Sequence, residues 1–477
     1  MTTPRTTLAQ LDPPVALGPL DGRYRAATSA LVEHLSEAAL NRNRIHVEVE
    51  WFIHLADDGV VPGVPTLTEA ERDYLREIPL SFGAAGIAEL AELERVTVHD
   101  VKAVEYFVKA RLASAGDVVE NTKLPALAEL VHFACTSEDI NNLAYALGIR
   151  DAIQNVWLPA ARGLTAEIRD LARANASQPM LARTHGQAAT PTTLGKELAV
   201  ITHRLARQLK RIEAQEYLGK LNGATGTFGA HLAAVPDANW PEISRSFVEG
   251  LGLAWNPLTT QIEPHDWQAE LYADIARVNR ILHNLATDVW TYISLGYFAQ
   301  VRGQGTVGSS TMPHKVNPIR FENAEANFEI STALLDSLAA TLVTSRMQRD
   351  LTDSTTQRNI GVALGHSLLA VDNVRRGLAG LDVDPAALAR DLDANWEVLG
   401  EAIQSAMRAA GLAGTPGMDD PYERLKELTR GRRIGAEELR AFVLALGLPA
   451  DVASRLATMT PATYVGAAVE LVALLED

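Results

Sequence analysis

A single cysteine, Cys135, occurs in 477 residues. No internal disulfide can form from it, so burial and hydrogen bonding must hold the fold, and a reducing compartment is expected. Long apolar runs are also missing. No stretch of about 18 uncharged apolar residues occurs, which argues against a membrane-spanning helix. Residues 1–15 are polar and carry Pro4, Pro13 and Pro14 where an export signal would have its apolar run. Basic charge is in deficit: 43 Lys and Arg stand against 59 Asp and Glu, a formal charge of −16. Such a balance suits neither nucleic acid nor an anionic membrane. These absences lead us to expect a cytoplasmic protein that binds neither. An anionic small molecule stays open, because a site needs only a local cluster of Arg and Lys, and such a cluster stands out against an acidic background.

Strand patterning is sparse as well, since β-branched residues seldom alternate with polar ones over four or more positions. Helical periodicity dominates. Between Asp266 and Val301, residues Leu271, Ile275, Val278, Ile281, Leu282, Leu285, Val289 and Ile293 recur at spacings of three and four. A helix of about 35 residues would run roughly 50 Å, a length that suits a bundle. Four further long helices are expected: Ile149 to Ala176 with a kink at Pro159 and Gly163, Leu194 to Tyr217, Pro318 to Leu342, and Asp353 to Leu378. Residues before and after carry shorter helices broken by Pro and Gly. The reading is therefore all-α, with an N-terminal helical domain (1–125), a central bundle of five long helices (126–378) and a C-terminal helical domain (379–477).

Four segments look unlike bundle surface. The first is Gly303 to Asn317, Gly-Gln-Gly-Thr-Val-Gly-Ser-Ser-Thr-Met-Pro-His-Lys-Val-Asn, lying between two long helices. Loops of this length in a compact domain are functional or disordered; a solvated linker is the plain alternative, yet it has little use for Met-Pro-His-Lys just ahead of a helix. The second is Arg183-Thr184-His185-Gly186-Gln187, placed in a turn between helices, where a histidine can reach a cavity and titrate near neutrality. The third is Thr97-Val98-His99-Asp100-Val101-Lys102. The fourth, Thr136-Ser137-Glu138-Asp139-Ile140, has the pattern of a helix cap with acids in the first turn. It can be no more than that, or its free N–H groups can meet an anion.

Gly-Ser-Ser-x-Met-Pro-x-Lys-x-Asn-Pro resembles the signature loop of the fumarase/aspartase superfamily. With His314 and the other three segments, the chain is similar to the adenylosuccinate lyase family in its bacterial form, from Asp21-Gly22-Arg23-Tyr24 to the C-terminus. The resemblance implies an enzyme of purine nucleotide biosynthesis, a carbon–nitrogen lyase. It would release fumarate by β-elimination from adenylosuccinate, giving AMP, and from succinylaminoimidazole carboxamide ribotide. It makes Ser309 the base and His185 the general acid. It assigns substrate contacts to Arg23, Tyr24, His99, Asp100, Thr136, Ser137, Gln261, Ser310, Lys315, Asn323, Arg349, Ser354, Thr355 and Arg358. Val98 stands where close relatives are expected to carry asparagine. The family works as a homotetramer whose sites draw on several chains, with no cofactor, and no metal-ligand pattern such as His-Glu-x-x-His occurs here. Argininosuccinate lyase and fumarase, and a scaffold protein with a dead site, are the rival readings. Position 314 and the Thr-Ser-Glu-Asp segment argue against the first two, and intact Ser309, His185 and Lys315 against the last.

The chemistry explains these residue types. Breaking the C–N bond requires removing a weakly acidic proton from the neighbouring carbon and supplying one to the nitrogen. The intermediate resembles an aci-carboxylate, whose charge Lys315 and loop amides can stabilise. Serine is a weak base in water, so Ser309 needs a closed, dry site, which suits a mobile loop.

Overall fold

Helices carry the chain in the computed structural model, which describes residues 17–301, 316–429 and 434–475. Strands among the described residues are confined to three two-stranded pairs, so the all-α expectation holds. The described chain divides into two compact units. One comprises the chain up to Ala161 with Gln208–Arg280 and Ala326–Asp372; the other comprises Arg162–Arg207, Ile281–Glu325 and the chain from Asn373.

In the first unit, α1 (Arg25–Leu35) precedes α2 (Glu37–Asp57), which begins where the Ser36 hydroxyl accepts the Ala39 N–H at 3.1 Å. α2 is the hub of this unit. It packs on α1, on α3 (Glu69–Leu80), on α5 (Asp100–Ala113) and on α6 (Ser137–Ala152). Ile45, Val47, Val49, Trp51, Phe52 and Leu55 are all buried on it. Burial on all sides is why its sequence shows no clean apolar stripe. Between α3 and α5 lies α4 (Ala84–Thr97), closed by Val98 in the left-handed region at φ 52°.

The expected kinked helix exists, but it starts earlier. α6 begins at Ser137, and a π turn (Ile153–Trp157) joins it to α7 (Leu158–Ala174). Pro159 has no N–H to bond Asn155, and its ring crowds that carbonyl; widening the turn by one residue relieves both. α8 (Leu194–Glu213), Ile319–Leu342 and Ile360–Leu378 follow the sequence reading closely. Two boundaries need correction. The helix from Asp266 stops at Ser294, because Gly296 turns left-handed (φ 77°) and Phe298–Gln300 pairs as a strand with Leu381–Val383. The segment expected from Asp353 is two helices, Thr352–Gln357 and Ile360–Leu378.

A buried hydrogen-bond relay ties four of these long helices within the first unit. Trp157 donates Nε1–H to Ser367 Oγ (2.8 Å), whose hydroxyl donates to Asn279 Oδ1 (2.7 Å). Asn279 Nδ2 donates to Ser331 Oγ (3.0 Å), and Ser331 donates to the Ala363 carbonyl (2.8 Å). Apolar stripes can slide by a turn; these partners meet in one register only.

Val98 is the least comfortable backbone position in the first unit. It is β-branched, left-handed and 87% exposed, so its side chain gains nothing to offset the strain. Val98→Asn should stabilise the protein by about 0.5–1 kcal/mol, since asparagine tolerates this region and valine does not. Denaturant titration checks this; equal or lower stability for the variant would refute the strain argument.

Candidate functional site

Asp139 sits in the first turn of α6, fully buried, and collects donors from three directions. Its carboxylate accepts the N–H of Thr136 (2.8 Å), Asn222 (2.9 Å) and Gly223 (3.1 Å), and pairs with Lys220 Nζ at 2.7 Å. Lys220 is fully buried as well, and its backbone is clamped by Asn142, which accepts the Lys220 N–H (2.8 Å) and donates to its carbonyl (2.9 Å). One carboxylate therefore seams the start of α6 to the loop after Leu218–Gly219. Gln261 and Asn222 extend the seam: Gln261 Nε2 donates to the Ala224 carbonyl (2.9 Å) and Asn222 Nδ2 to Thr259 Oγ1 (2.7 Å). Gly226 permits the approach, since a Cβ there would lie 2.2 Å from the Thr259 carbonyl.

A second set of bonds starts from Arg44 on α2, a buried guanidinium. It donates to Asn141 (2.8 Å), Asn41 (2.7 Å) and Asp100 (2.8 Å). Asp100 also pairs with Arg358 (3.1 Å), which reaches Glu37 at 2.5 Å. Burial pushes the Asp100 carboxyl up, but Arg44, the Val101 amide and Arg358 outweigh it and hold it below the usual carboxylate range. On the other side, Asn141 donates to Glu138 (2.8 Å), and Glu138 pairs with Arg349 (2.6 Å). Arg349 lies 3.8 Å from Asp353, which lies 3.6 Å from the buried His265. Asp353 is held low too: burial opposes ionisation, but His265 and Arg349 prevail. Asp100, the 136–139 cap, Arg349 and Arg358 thus belong to one bonded network.

His99 caps α5. Its Nδ1 accepts the Lys102 N–H at 3.2 Å, so the neutral ring carries its proton on Nε2. Ser354 and Thr355 lie in the short helix Thr352–Gln357 beside Asp353, where Ser354 donates its backbone N–H to that carboxylate at 2.6 Å. Arg23 and Tyr24 stand before α1, with the guanidinium 5.8 Å from the ring centroid. A cavity of about 270 Å³ opens against Leu20, Asp21, Ser36, Glu37, Arg358 and Gly361. A larger one, about 540 Å³, is lined by His46, Glu50, His54, Arg76 and Arg150 and holds none of the expected site residues. The smaller cavity is the one that touches the network, through Glu37 and Arg358. Cys135 plays no part: burial pushes its thiol well above the ordinary value.

In the second unit, His185 occupies a different setting from the inter-helix turn expected. It is the tip of a β-hairpin formed by β1 (Pro179–Thr184) and β2 (Gln187–Thr193). His185 and Gly186 both have positive φ, 53° and 74°, as a two-residue hairpin turn demands. Pro191, expected in the turn, lies within β2. Asn323 is in the same unit, where its side-chain oxygen accepts from Asn373 Nδ2 at 2.9 Å. Ser309, Ser310 and Lys315, with the rest of the signature loop from Gly303 to Lys315, lie outside the described residues.

Sequence reasoning missed Arg44, Lys220 and His265. Arg44 had a faint signal, a run of charges inside a helix otherwise fit for a core. For Lys220 the signal was the glycine-rich stretch Gly219 to Gly229 around a single lysine. No group of three His, Cys, Asp or Glu among the described residues is arranged to hold a metal. Arg349 and Arg358 stay partly exposed in an otherwise acidic chain, paired with carboxylates in the first turns of α6 and α5. Guanidinium groups held this way by carboxylates can exchange those partners for an incoming anion.

Comparison with known proteins converges on one family. A profile described as "Lyase" matches residues 22–328, and one described as "Adenylosuccinate lyase C-terminal" matches residues 345–465. The chain is 48% identical over 457 residues to the adenylosuccinate lyase of Escherichia coli (strain K12), covering 96% of this chain and 98% of that protein. It is 46% identical over 463 residues to that of Haemophilus influenzae, covering 97% and 99%. Among solved structures, a fumarate lyase from Mesorhizobium sp. BNC1 matches in fold with a TM-score of 0.73 at 21% identity, over 93% of this chain and 96% of that one.

The Asp139–Lys220 pair generates a stability prediction. Lys220→Met leaves a buried carboxylate with backbone donors alone and should lower stability by about 3 kcal/mol. A loss below about 1 kcal/mol in denaturant unfolding would mean that the amides alone satisfy Asp139.

Proposed function

The chain belongs to the adenylosuccinate lyase family, carbon–nitrogen lyases of the fumarase/aspartase type, and from that premise we propose how its residues divide the work. The reaction is β-elimination of fumarate from adenylosuccinate to give AMP, and from succinylaminoimidazole carboxamide ribotide to give the aminoimidazole carboxamide ribotide, in purine nucleotide biosynthesis.

Ser309 removes the proton from the carbon next to the C–N bond, and Lys315 with neighbouring amides stabilises the resulting aci-carboxylate. His185, as imidazolium, protonates the departing nitrogen. Its exposed place on a hairpin tip supports this role, because the ring stands clear of the backbone that carries it. Arg349 and Arg358 exchange their carboxylate partners for the anionic groups of the substrate, with Ser310, Ser354 and Thr355 adding hydroxyls and Arg23 and Tyr24 closing the other side. His99 offers Nε2–H, Thr136 and Ser137 the start of α6, and Gln261 and Asn323 their amides. The observation that carries the binding reading is the network from Arg358 through Asp100, Arg44, Asn141 and Glu138 to Arg349. It brings distant stretches of chain to one place and leaves two guanidinium groups at its ends.

We further read the assembly as a cytoplasmic homotetramer with shared sites, built from the three segments 1–125, 126–378 and 379–477. Exposed apolar side chains on two long helices support association: Trp290 on one, Ile319 and Ile330 on the other. No helix among the described residues is long and apolar enough to cross a membrane.

Two measurements test these roles. Ser309→Ala should lower kcat by roughly 10²–10⁴-fold, followed by the absorbance change of adenylosuccinate, with binding retained; near-normal turnover removes Ser309 from the base role. Ser309→Ala mixed with His185→Ala should regain activity after subunit exchange, and persistent inactivity counts against shared sites.

A further inference from the structure

Nothing at the hairpin tip itself holds the His185 ring. Among the described residues no hydrogen bond reaches its imidazole, and the last ladder pair is Thr184 with Gln187. A catalytic acid has to meet its target within a few tenths of an ångström, so its aim must come from where the hairpin is anchored. The anchors lie in the later stretches of the second unit, and they grip both strands.

On β1, Arg183 stands two residues before His185. Its guanidinium donates to Tyr297 Oη (2.7 Å) and to Asp391 Oδ2 (2.6 Å), and the Tyr297 hydroxyl donates to the same Asp391 oxygen. These three groups close a triangle of hydrogen bonds. Tyr297 is buried; burial and Asp391 push its hydroxyl up to about 12, so it keeps the proton it donates. Asp391 comes from the helix Pro385–Asp393, which packs directly on β1. Below the triangle, Leu181 of β1 packs against Leu392 and Val398 in a small apolar cluster. On β2, the Thr190 hydroxyl donates to Glu401, which also accepts from the Tyr464 hydroxyl at 3.3 Å. A bulge between Met180 and Ala182 breaks the ladder just below these contacts, so the tip's direction depends on the anchors more than on the ladder.

We propose that Asp391, through Arg183 and Tyr297, is a positioning residue for the general acid, aiming the hairpin that presents His185. This rests on the reading of His185 as the acid. Asp391 touches neither substrate nor reacting atoms in this scheme. It also neutralises Arg183, which would otherwise stand as an unpaired cation close to a group that must itself be cationic to work.

The test is a double-mutant cycle on the purified, assembled enzyme, with thermal unfolding and oligomeric state measured for every variant. Asp391→Ala should lower kcat by about 10²-fold, the scale of a misplacement near 1 Å, with KM for adenylosuccinate changed by less than threefold. In the His185→Ala background the same substitution should have no further effect, because the residue it aims is gone. Restoring the pair in reversed sense, Arg183→Asp with Asp391→Arg, should recover much of kcat. Equal losses with and without His185, or a loss that appears in KM alone, would overturn the proposal and mark Asp391 as a structural residue only. Should His185→Ala itself turn over normally, the acid assignment falls first, which separates that failure from this one.

Discussion

A carboxylate with no access to water must be satisfied completely or cost several kcal/mol, and Asp139 is where the chain meets that demand. Its donors are the N–H groups of Thr136, Asn222 and Gly223 and the ammonium of Lys220. None of these can move far without stranding a buried charge, so the start of α6 and the loop beyond Gly219 are fixed together. Gln261 then follows from the loop through Ala224, and Glu138 from the helix start. Much of the proposed binding region of the first unit is therefore located by one buried carboxylate.

The same unit resolves an apparent contradiction between an acidic chain and an anionic substrate. Each guanidinium of the network is matched by a carboxylate from a different stretch of sequence: Arg44 and Arg358 by Asp100, Arg358 also by Glu37, and Arg349 by Glu138, with Asp353 one turn on beside it. Acids thus hold the cations in place rather than cancelling the site. Arg358 and Arg349 remain partly exposed, whereas Arg44 is enclosed and serves as the strut between them.

The hairpin shows how local and long-range constraints divide. His185-Gly186 makes a two-residue turn on its own chemistry, and strands must pair on either side of it. Where the tip is directed is another matter, governed through Arg183 and Thr190 by Tyr297, Asp391 and Glu401, which lie 114 to 211 positions further along the chain. The expected turn between two helices is there at His185-Gly186, but strands flank it unforeseen, because Thr-rich flanks with Pro191 carry little of the alternation that marks a strand.

Periodicity, caps and the long signature motif were enough, from the sequence alone, to read an all-helical chain, most of the extent of its long helices, the capped start at Thr136 and the family. Those features are local, each written within a few turns of chain or one contiguous loop. Only the tertiary structure decided which charges are partners. Asp139 with Lys220, Arg44 with Asp100 and Arg183 with Asp391 are separated by 81, 56 and 208 positions. Burial makes the first two pairs obligatory, and burial belongs to the packed molecule, not to any segment of it.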